Sequence, residues 1–204
     1  PDDAHCAISR LLCLENTVAG HVQSVETINE MAAVGRAHGL AVHLDGARLM
    51  NAVIKLRIPA AKLVEGVDTV SLCLSKGLGA PAGSVLVGPA DFIRRAHRIR
   101  KLVGGGMRQI GVLAAAGIHA LDYHVDRLAN DHSNAQRLAE GLSRVKAIQV
   151  KPEAVETNMV FIRLPDGTAD GLRAHLAARG ILLGGGSKQI RLVTHLDITN
   201  DDID

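Results

Sequence analysis

A single lysine, Lys76, interrupts the most apolar part of this chain. Residues 67–87 read VDTVSLCLSKGLGAPAGSVLV, which predicts two buried strands joined by a polar, glycine-rich turn. A strongly hydrated ammonium group is costly to place between buried strands unless the chemistry needs an amine. A desolvated, deprotonated lysine attacks carbonyl carbons, so this position indicates Schiff-base chemistry. The alternative is a lysine that simply extends from a loop into solvent.

A carboxylate and an arginine stand at a matching position earlier in the chain. Asp45 follows the apolar residues 40–44, Arg48 comes three residues later, and Lys76 follows Asp45 by 31 residues. This set is typical of a pyridoxal-phosphate site, in which the lysine holds the cofactor aldehyde and the carboxylate keeps the pyridine nitrogen protonated. The planar guanidinium of Arg48 suits the ring hydroxyl or a substrate carboxylate.

Short predicted strands and helices alternate around these residues. Strands are predicted at residues 11–15, 40–44 and on both sides of Lys76, and helices at residues 24–38, 47–55 and 60–65. The alternation predicts an α/β fold with a mostly parallel sheet, and such sheets bind ligands at the carboxyl ends of their strands. Because Asp45 and Lys76 each follow a predicted strand, we expect them at the same edge of the sheet.

Two further segments in the first part of the chain are distinctive. The predicted helix at residues 90–103 has a strongly basic face, which is most often a solvated face, and three glycines follow it at residues 104–106. The next predicted helix, residues 109–121, is apolar on nearly all sides. That composition predicts burial in a core or in a subunit interface.

From about residue 130 the pattern changes to a small α+β unit. Helices are predicted at residues 130–145 and 169–179, and strands at residues 148–151, 158–164, 181–183 and 189–193. We therefore expect a large domain at residues 1–129 and a small C-terminal domain at residues 130–204. Arg191 lies in the last predicted strand, where an arginine is most often an edge or salt-bridge residue.

Composition argues against several classes of function. The net charge of +2 gives no electrostatic attraction to nucleic acid or to an anionic membrane. Two Phe, one Tyr and no Trp give no stacking platform for single-stranded nucleic acid. Cys6, Cys13 and Cys73 fit neither a metal nor a disulfide spacing, so we expect reduced thiols, no metal and a cytoplasmic protein. No apolar run reaches membrane-spanning length.

Four longer motifs give the chain a family resemblance. AVHLDGARLMNA, SLCLSKGLGAPAGSVLVG, RIRKLVGGGMRQIGVLAAAGIHAL and IRLVTHLD, together and in register, resemble the low-specificity L-threonine aldolases. The resemblance implies the aspartate-aminotransferase-like fold of type I, with a large α/β domain around a mixed sheet and a small C-terminal domain. It also implies pyridoxal 5'-phosphate as cofactor, an amino-acid substrate, and assembly into homodimers and homotetramers.

The resemblance implies a set of cofactor-binding residues. Lys76 matches the Schiff-base lysine, Asp45 matches the carboxylate beside the pyridine nitrogen, and Arg48 matches the arginine near the ring oxygen. Arg108 and Lys101 match basic residues that reach the region of the cofactor phosphate, partly across a subunit interface.

The resemblance also implies a substrate and a reaction. Arg191 matches the arginine that holds the substrate α-carboxylate, with help from Arg48. His5 matches a histidine near the substrate hydroxyl, where a base would assist the reaction. The implied reaction is retro-aldol cleavage of L-threonine or L-allo-threonine to glycine and acetaldehyde. The remaining histidines, including His43 and His195, are interpreted as packing and surface residues.

The sequence departs from the family pattern in two places. Where the family usually has His-Asn after LENT, this chain has Val18 and Ala19, so we expect altered substrate handling. The chain starts at Pro1 and lacks the family's Gly-Thr turn for the cofactor phosphate and its ring-stacking histidine. The sequence therefore resembles a piece of a longer protein, and we expect this chain alone to bind cofactor weakly and turn over poorly.

Two other interpretations are left open by the residues. The chain could be another lyase of the same fold that carries out β-elimination, although the pairing of HLDGAR with GGGMRQ argues against it. It could also be an inactive remnant or interaction module, in which the helix at residues 109–121 supports dimerisation without chemistry. The retained Lys76, Asp45 and Arg191 favour the enzyme.

Overall fold

A four-stranded sheet forms the centre of this computed structural model, which describes residues 3–204. The strands are β1 (Leu11–Glu15), β2 (Ala41–Gly46), β3 (Thr69–Cys73) and β4 (Ser84–Val87), in that spatial order. β1, β2 and β3 run parallel, and β4 is antiparallel to β3, which confirms the predicted mixed, mostly parallel sheet. Pro1, the first residue of the sequence, lies outside the described residues.

Helices connect these strands and continue after β4. They are α1 (Val25–Ala37), α2 (Leu49–Leu56), α3 (Ala60–Leu63), α4 (Ala90–Leu102), α5 (Gly111–Tyr123), α6 (Leu128–Leu142), α7 (Ala169–Ala177) and α8 (Asn200–Ile203). Each predicted helix is present, with its ends moved by a few residues. Ser24 begins α1, because its side chain accepts a hydrogen bond from the Thr27 amide. None of the helices within residues 3–204 has the length and apolar character needed to cross a membrane.

The two faces of the main sheet differ in chemistry because side chains alternate along each strand. Leu14, Leu44 and Val70 are neighbours on one face and are buried, together with residues of α1, α2 and α3. The opposite face carries polar groups, including His43, whose Nδ1 lies 2.8 Å from the Thr69 hydroxyl. We call this second face the polar face of the sheet. It is the face that remains available for a ligand.

A second, smaller sheet pairs β5 (Met159–Arg163) with antiparallel β6 (Gln189–Val193). Its inner residues, such as Val160 and Ile190, pack with α6 and α7 in a hydrophobic cluster separate from that of the main sheet. The α/β architecture with a small α+β unit is therefore as predicted.

Two predicted strands of this smaller unit are wrong. Residues 148–151 form only a single bridge, between Gln149 and Arg163. Residues 181–183 form no strand, because the Ile181 amide donates to the Leu176 carbonyl at the end of α7, and the Leu182 side chain is 86% exposed. The amide that a ladder would need is used to close the helix.

The predicted burial of the second strand beside Lys76 is also wrong. All four residues of β4 are exposed, since β4 forms an edge of the sheet within residues 3–204. The apolar helix α5 buries only Gly117 and Ala120 in this chain, while Val112 is 80% exposed. Burial of α5 in a core is therefore excluded for the described residues, and burial in a subunit interface stays a prediction.

Candidate active site

Polar side chains stand side by side at the carboxyl ends of the parallel strands. Glu15 of β1 pairs with Asp45 of β2, and Asp45 pairs with Ser71 of β3, so the three lie in register on the polar face. Cys73 follows on the same face of β3, two residues after Ser71. This row is where the sequence predicts a ligand site.

Asp45 lies inside β2, whereas the sequence predicts it just beyond the end of the strand. Its direction is therefore fixed by the strand, and its Oδ1 accepts a hydrogen bond of 2.9 Å from the Ala47 amide. The chain then turns into α2, whose N-cap position is occupied by Arg48. One short turn thus brings the predicted carboxylate and the predicted arginine to the same edge of the sheet.

Arg48 and Arg191 are brought together from distant parts of the chain, and we call them the arginine pair. Burial, followed by the positive charge of Arg191, lowers the pKa of the half-buried Arg48, while Cys73, Glu15 and Asp45 act in the opposite direction. Arg191 lies on the outer face of β6, opposite Phe161 of β5. Two guanidinium groups that repel each other form a site whose repulsion an anionic ligand would relieve.

Lys76 lies in the loop between β3 and β4, residues 74–83, which we call the lysine loop. Its side chain is exposed at the mouth of the sheet, whereas the neighbouring Leu74, Leu78 and Ala80 are buried. The nearby Cys73 is coupled to it: burial raises the pKa of the thiol, but hydrogen bonds from Ser75 and Ser84 and the charge of Lys76 outweigh burial and lower it.

The other predicted site residues lie apart from this row. His5 is in the N-terminal segment, where its ring is 95% exposed and its Nδ1 lies 3.0 Å from Asp3 Oδ1. Lys101, near the end of α4, packs its aliphatic stem against Gly106, and Arg108 follows in the exposed segment before α5. The structure thus groups Asp45, Arg48, Lys76 and Arg191. His5, Lys101 and Arg108 lie elsewhere on the surface.

The departure from the family pattern falls in a tight turn at residues 18–21. Val18 and His21 exchange two backbone hydrogen bonds, of 2.9 and 2.8 Å, and the two residues between them have positive φ, +50° at Ala19 and +86° at Gly20. These values define a type I′ turn, for which Asn-Gly is the preferred pair. The backbone conformation therefore favours Asn over Ala at position 19.

This turn is fastened to the smaller unit. The Thr157 hydroxyl donates to the Gly20 carbonyl over 2.7 Å, and Glu156 accepts hydrogen bonds from the Val22 amide, 2.7 Å, and from the His21 ring, 3.2 Å. A groove lies beside these contacts, between the turn and β5, and is lined by Phe161 among others. Lys76 instead stands on an open surface.

Sequence reasoning missed several polar residues around the site. Glu15 ends β1 beside Asp45, and its signal was available as the first polar residue after an apolar run. Cys73 was interpreted only as a reduced thiol. Asn51 and His132 are hydrogen-bonded across 81 residues of sequence, which no local pattern indicates.

The same fold occurs in solved structures of other proteins. The chain superposes on the threonine aldolase of Leishmania major with a TM-score of 0.77 at 21% identity, covering 98% of this chain and 60% of that one. It superposes on the serine palmitoyltransferase of Sphingomonas wittichii with a TM-score of 0.73 at 18% identity, covering 96% and 52%. These likenesses confirm the fold of type I found in pyridoxal-phosphate enzymes.

The family follows from sequence similarity. The model of the family described as Beta-eliminating lyase matches residues 1–165, and the chain belongs to this family. It is 50% identical over 202 residues to low-specificity L-threonine aldolase 1 of Arabidopsis thaliana, and the match covers 96% of this chain and 56% of the relative. It is 45% identical over 203 residues to the low specificity L-threonine aldolase of Escherichia coli K12, covering 100% and 60%. The resemblance inferred from the motifs is confirmed, and the chain spans less than two thirds of the length of these relatives.

Proposed function

We propose that this chain carries the cofactor site of a pyridoxal-phosphate-dependent aldolase, a carbon–carbon lyase that cleaves L-threonine or L-allo-threonine to glycine and acetaldehyde. One observation carries the proposal: Lys76, Asp45 and the arginine pair converge at the carboxyl ends of parallel strands. The names of the relatives, low-specificity L-threonine aldolases, support this choice of substrate. The reaction would serve threonine breakdown and glycine formation.

The residues at this edge of the sheet fit pyridoxal phosphate. The cofactor requires an amine for its aldehyde and an anion beside its ring nitrogen; Lys76 offers the first from the loop after β3, and Asp45 offers the second from the neighbouring strand β2. Glu15 and Ser71 flank Asp45 and make the surface polar, as a charged heterocycle needs. When bound, the cofactor supplies a conjugated ring that accepts the electron pair of the breaking Cα–Cβ bond.

The arginine pair is proposed to bind the substrate α-carboxylate. A carboxylate between Arg48 and Arg191 would relieve their repulsion and could accept hydrogen bonds from both planar guanidinium groups. Two points of attachment restrict the rotation of the amino acid, so the bond that breaks is held in one direction.

Three further residues complete the proposal. His5 is proposed to take the proton of the substrate β-hydroxyl onto a ring nitrogen, as a general base. Lys101 and Arg108 are proposed to bind the cofactor phosphate, partly across a subunit interface. Both are exposed, so a phosphate could reach their charges.

We also propose a homo-oligomer, a dimer or tetramer. Large apolar side chains are exposed along the end of α4 and through α5: Leu102, Val103, Met107, Val112 and Ile118. An apolar surface of this extent is typical of a protein–protein interface, and a second copy of the chain is the partner the family resemblance implies.

The domain boundary and the location of the protein are proposed as well. Leu128 belongs to the hydrophobic cluster of the main sheet and Ala135 to that of the smaller unit, which supports a boundary near residue 129. Cys6, Cys13 and Cys73 are free thiols in the structure, which supports a cytoplasmic, reducing environment.

The test is the visible absorbance spectrum of the purified chain titrated with pyridoxal phosphate. Wild type, Lys76→Ala and the control Lys146→Ala, an exposed lysine in the smaller unit, are compared. We expect a new absorbance band in wild type and in the control but not in Lys76→Ala, and a change of that band on adding glycine. Acetaldehyde release from threonine then tests the reaction.

Each outcome decides a part of the proposal. If Lys76→Ala keeps the band that wild type shows, the proposed cofactor site is wrong. If the wild-type spectrum equals that of free cofactor, this chain by itself does not hold the cofactor. If the band forms but an amino acid with a β leaving group yields ammonia while threonine yields no acetaldehyde, the chain is a β-eliminating enzyme and the aldolase assignment fails.

A further inference from the structure

The lysine loop is held by contacts from outside itself. Its own backbone closes with three hydrogen bonds: from the Leu74 amide to the Gly83 carbonyl, 3.0 Å, from the Gly79 amide to the Lys76 carbonyl, 2.8 Å, and from the Ala80 amide to the Leu74 carbonyl, 3.0 Å. The first bond joins the two ends of the loop beside β3 and β4, and the other two shape its middle without tying it to another part of the fold. The segment that joins α5 to α6 supplies that connection.

His124, directly after α5, contacts the loop on one side. Its Nδ1 donates to the Leu78 carbonyl over 2.7 Å, two residues after Lys76. The same ring also limits the neighbouring Gly79, where an added Cβ would lie 3.5 Å from His124 Nδ1. Since Leu78 is buried, no solvent molecule easily replaces this donor. His124 is therefore the donor that satisfies this carbonyl.

Asn51 of α2 lies beside the loop on the other side. Its side chain is almost completely buried, and its Oδ1 would lie 3.5 Å from a Cβ added at Gly77, the residue after Lys76. Leu128 of α6 would lie even closer to that Cβ, at 3.0 Å. Gly77 is thus enclosed by Asn51 and Leu128, and a displacement of either side chain would be transmitted to the loop.

His132 of α6 fixes the orientation of Asn51. The Nδ2 of Asn51 donates to His132 Nε2 over 3.1 Å, which leaves the amide oxygen turned toward Gly77. The ring can accept this bond only if Nε2 carries no proton. Burial and the nearby charge of Lys55 lower the pKa of His132 to about 4, in agreement with an uncharged ring at neutral pH.

We propose that His124 on one side, and Asn51 held by His132 on the other, are positioning residues that set the location of Lys76. This inference rests on the proposed function for the role of Lys76, but the contacts themselves are independent of it. The three residues touch the loop backbone or each other and not the reacting atoms, so they act through Lys76.

The first test is amide hydrogen exchange of the chain without cofactor. His124→Phe keeps an aromatic ring but removes the donor to Leu78, and Asn51→Leu keeps the volume but removes the bond to His132. We expect the Gly79 and Ala80 amides to exchange about tenfold faster in both variants, with little change for the amides of β2. Unchanged loop exchange, or an equal increase in β2, would overturn the inference.

The second test is the affinity of Lys76 for pyridoxal phosphate, followed by the absorbance band described above. We expect the apparent Kd to rise about tenfold in His124→Phe and Asn51→Leu and to stay unchanged in His175→Phe, which alters an exposed histidine of α7. His124→Gln, whose amide can still donate to Leu78, should recover part of the affinity. No change in Kd for either variant contradicts the positioning role.

The two proposals fail in different ways. If wild type forms no Lys76-dependent band, the proposed function is wrong, and the hydrogen-exchange result alone decides whether these residues fix the loop. If wild type forms the band and the variants match it in both exchange and affinity, the function stands and the positioning role is wrong. A variant that unfolds is replaced by His124→Gln against His124→Leu, a pair of similar size in which only Gln can donate to the Leu78 carbonyl.

Discussion

Acid should destabilise the folded chain through His132, and the size of the effect follows from its surroundings. The ring is half-buried between α6 and α2, accepts a hydrogen bond from Asn51, and lies near Lys55. Burial is the larger cause and the charge of Lys55 the smaller, and together they lower the pKa from 6.5 to about 4. In the unfolded chain His132 would titrate near its ordinary pKa.

The sign follows from proton binding. Between pH 6.5 and 4 the unfolded chain binds a proton at His132 that the folded chain does not, so the free energy of unfolding falls as the pH falls. A pKa difference of about 2.5 corresponds to roughly 3.4 kcal/mol. Because the ring is only half-buried, solvent screening reduces the expected loss to about 1.5–2 kcal/mol. Above pH 7.5 His132 should contribute no further pH dependence.

The perturbation is His132→Gln, whose amide oxygen can accept the bond from Asn51 but cannot titrate. Urea unfolding, followed by circular dichroism at several pH values from 7.5 to 4.5, should give a smaller acid loss for the variant by about 1.5–2 kcal/mol. Burial raises the pKa of the adjacent Asp131, so the effect of Asp131 on stability as the pH falls is opposite in sign to that of His132. Because Asp131 is present in both proteins, its effect largely cancels when their free energies of unfolding are compared.

The control and the refuting result are both direct. His175→Gln changes an exposed histidine and should leave the pH dependence as in wild type. If the free energies of unfolding of wild type and His132→Gln run parallel from pH 7.5 to 4.5, the argument fails. It also fails if an NMR titration of the His132 ring in the folded chain has its midpoint near 6.5.

Four substitutions test other parts of the fold by urea unfolding. Gly20→Ala should lower the free energy of unfolding by roughly 2–3 kcal/mol, because φ is +86° and the new Cβ would lie 2.9 Å from a side chain of β5. Gly39→Ala, with φ +70° but open space around the new Cβ, should lower it by only about 1 kcal/mol. Equal losses for the two variants would contradict this explanation. Ala19→Asn should stabilise by about 0.5–1 kcal/mol, since Asn suits the type I′ turn, and any loss would count against the assigned turn. Arg127→Met removes the ion-pair partner that lies 2.5 Å from the buried Asp131 and should lower the free energy of unfolding by about 3 kcal/mol at pH 7. The loss should be smaller at low pH, where the carboxyl takes up a proton. A loss that does not depend on pH would refute the ion-pair explanation.

The sequence predicts the site best where a local signal marks the end of a strand. Asp45 and Lys76 each follow an apolar run, and both lie at the carboxyl edge of the parallel strands. Their mutual arrangement could be predicted because parallel strands direct their ends to one edge. The roles assigned to His5, Lys101 and Arg108 depend on the family resemblance and stay predictions.

Other features could not be read from local sequence. The exposure of β4 depends on which strand lies beyond it, and its apolar residues alone predict burial. Ile181 looks like the start of a strand, yet its amide closes α7, a competition that periodicity does not resolve. Asn51 and His132 meet only because α2 and α6 pack together, so their contact is a product of tertiary structure.

The turn at residues 18–21 connects these observations to the arginine pair. It follows β1 directly, so its position is set by the strand that carries Glu15 beside Asp45. Its Gly20 carbonyl is bound by Thr157, and the next residue, Asn158, donates to the Thr194 carbonyl, three residues after Arg191. The turn therefore fixes the strand end that carries Arg191 against the sheet that carries Arg48. It follows that Val18 and Ala19 can influence the spacing of the two guanidinium groups without touching either of them.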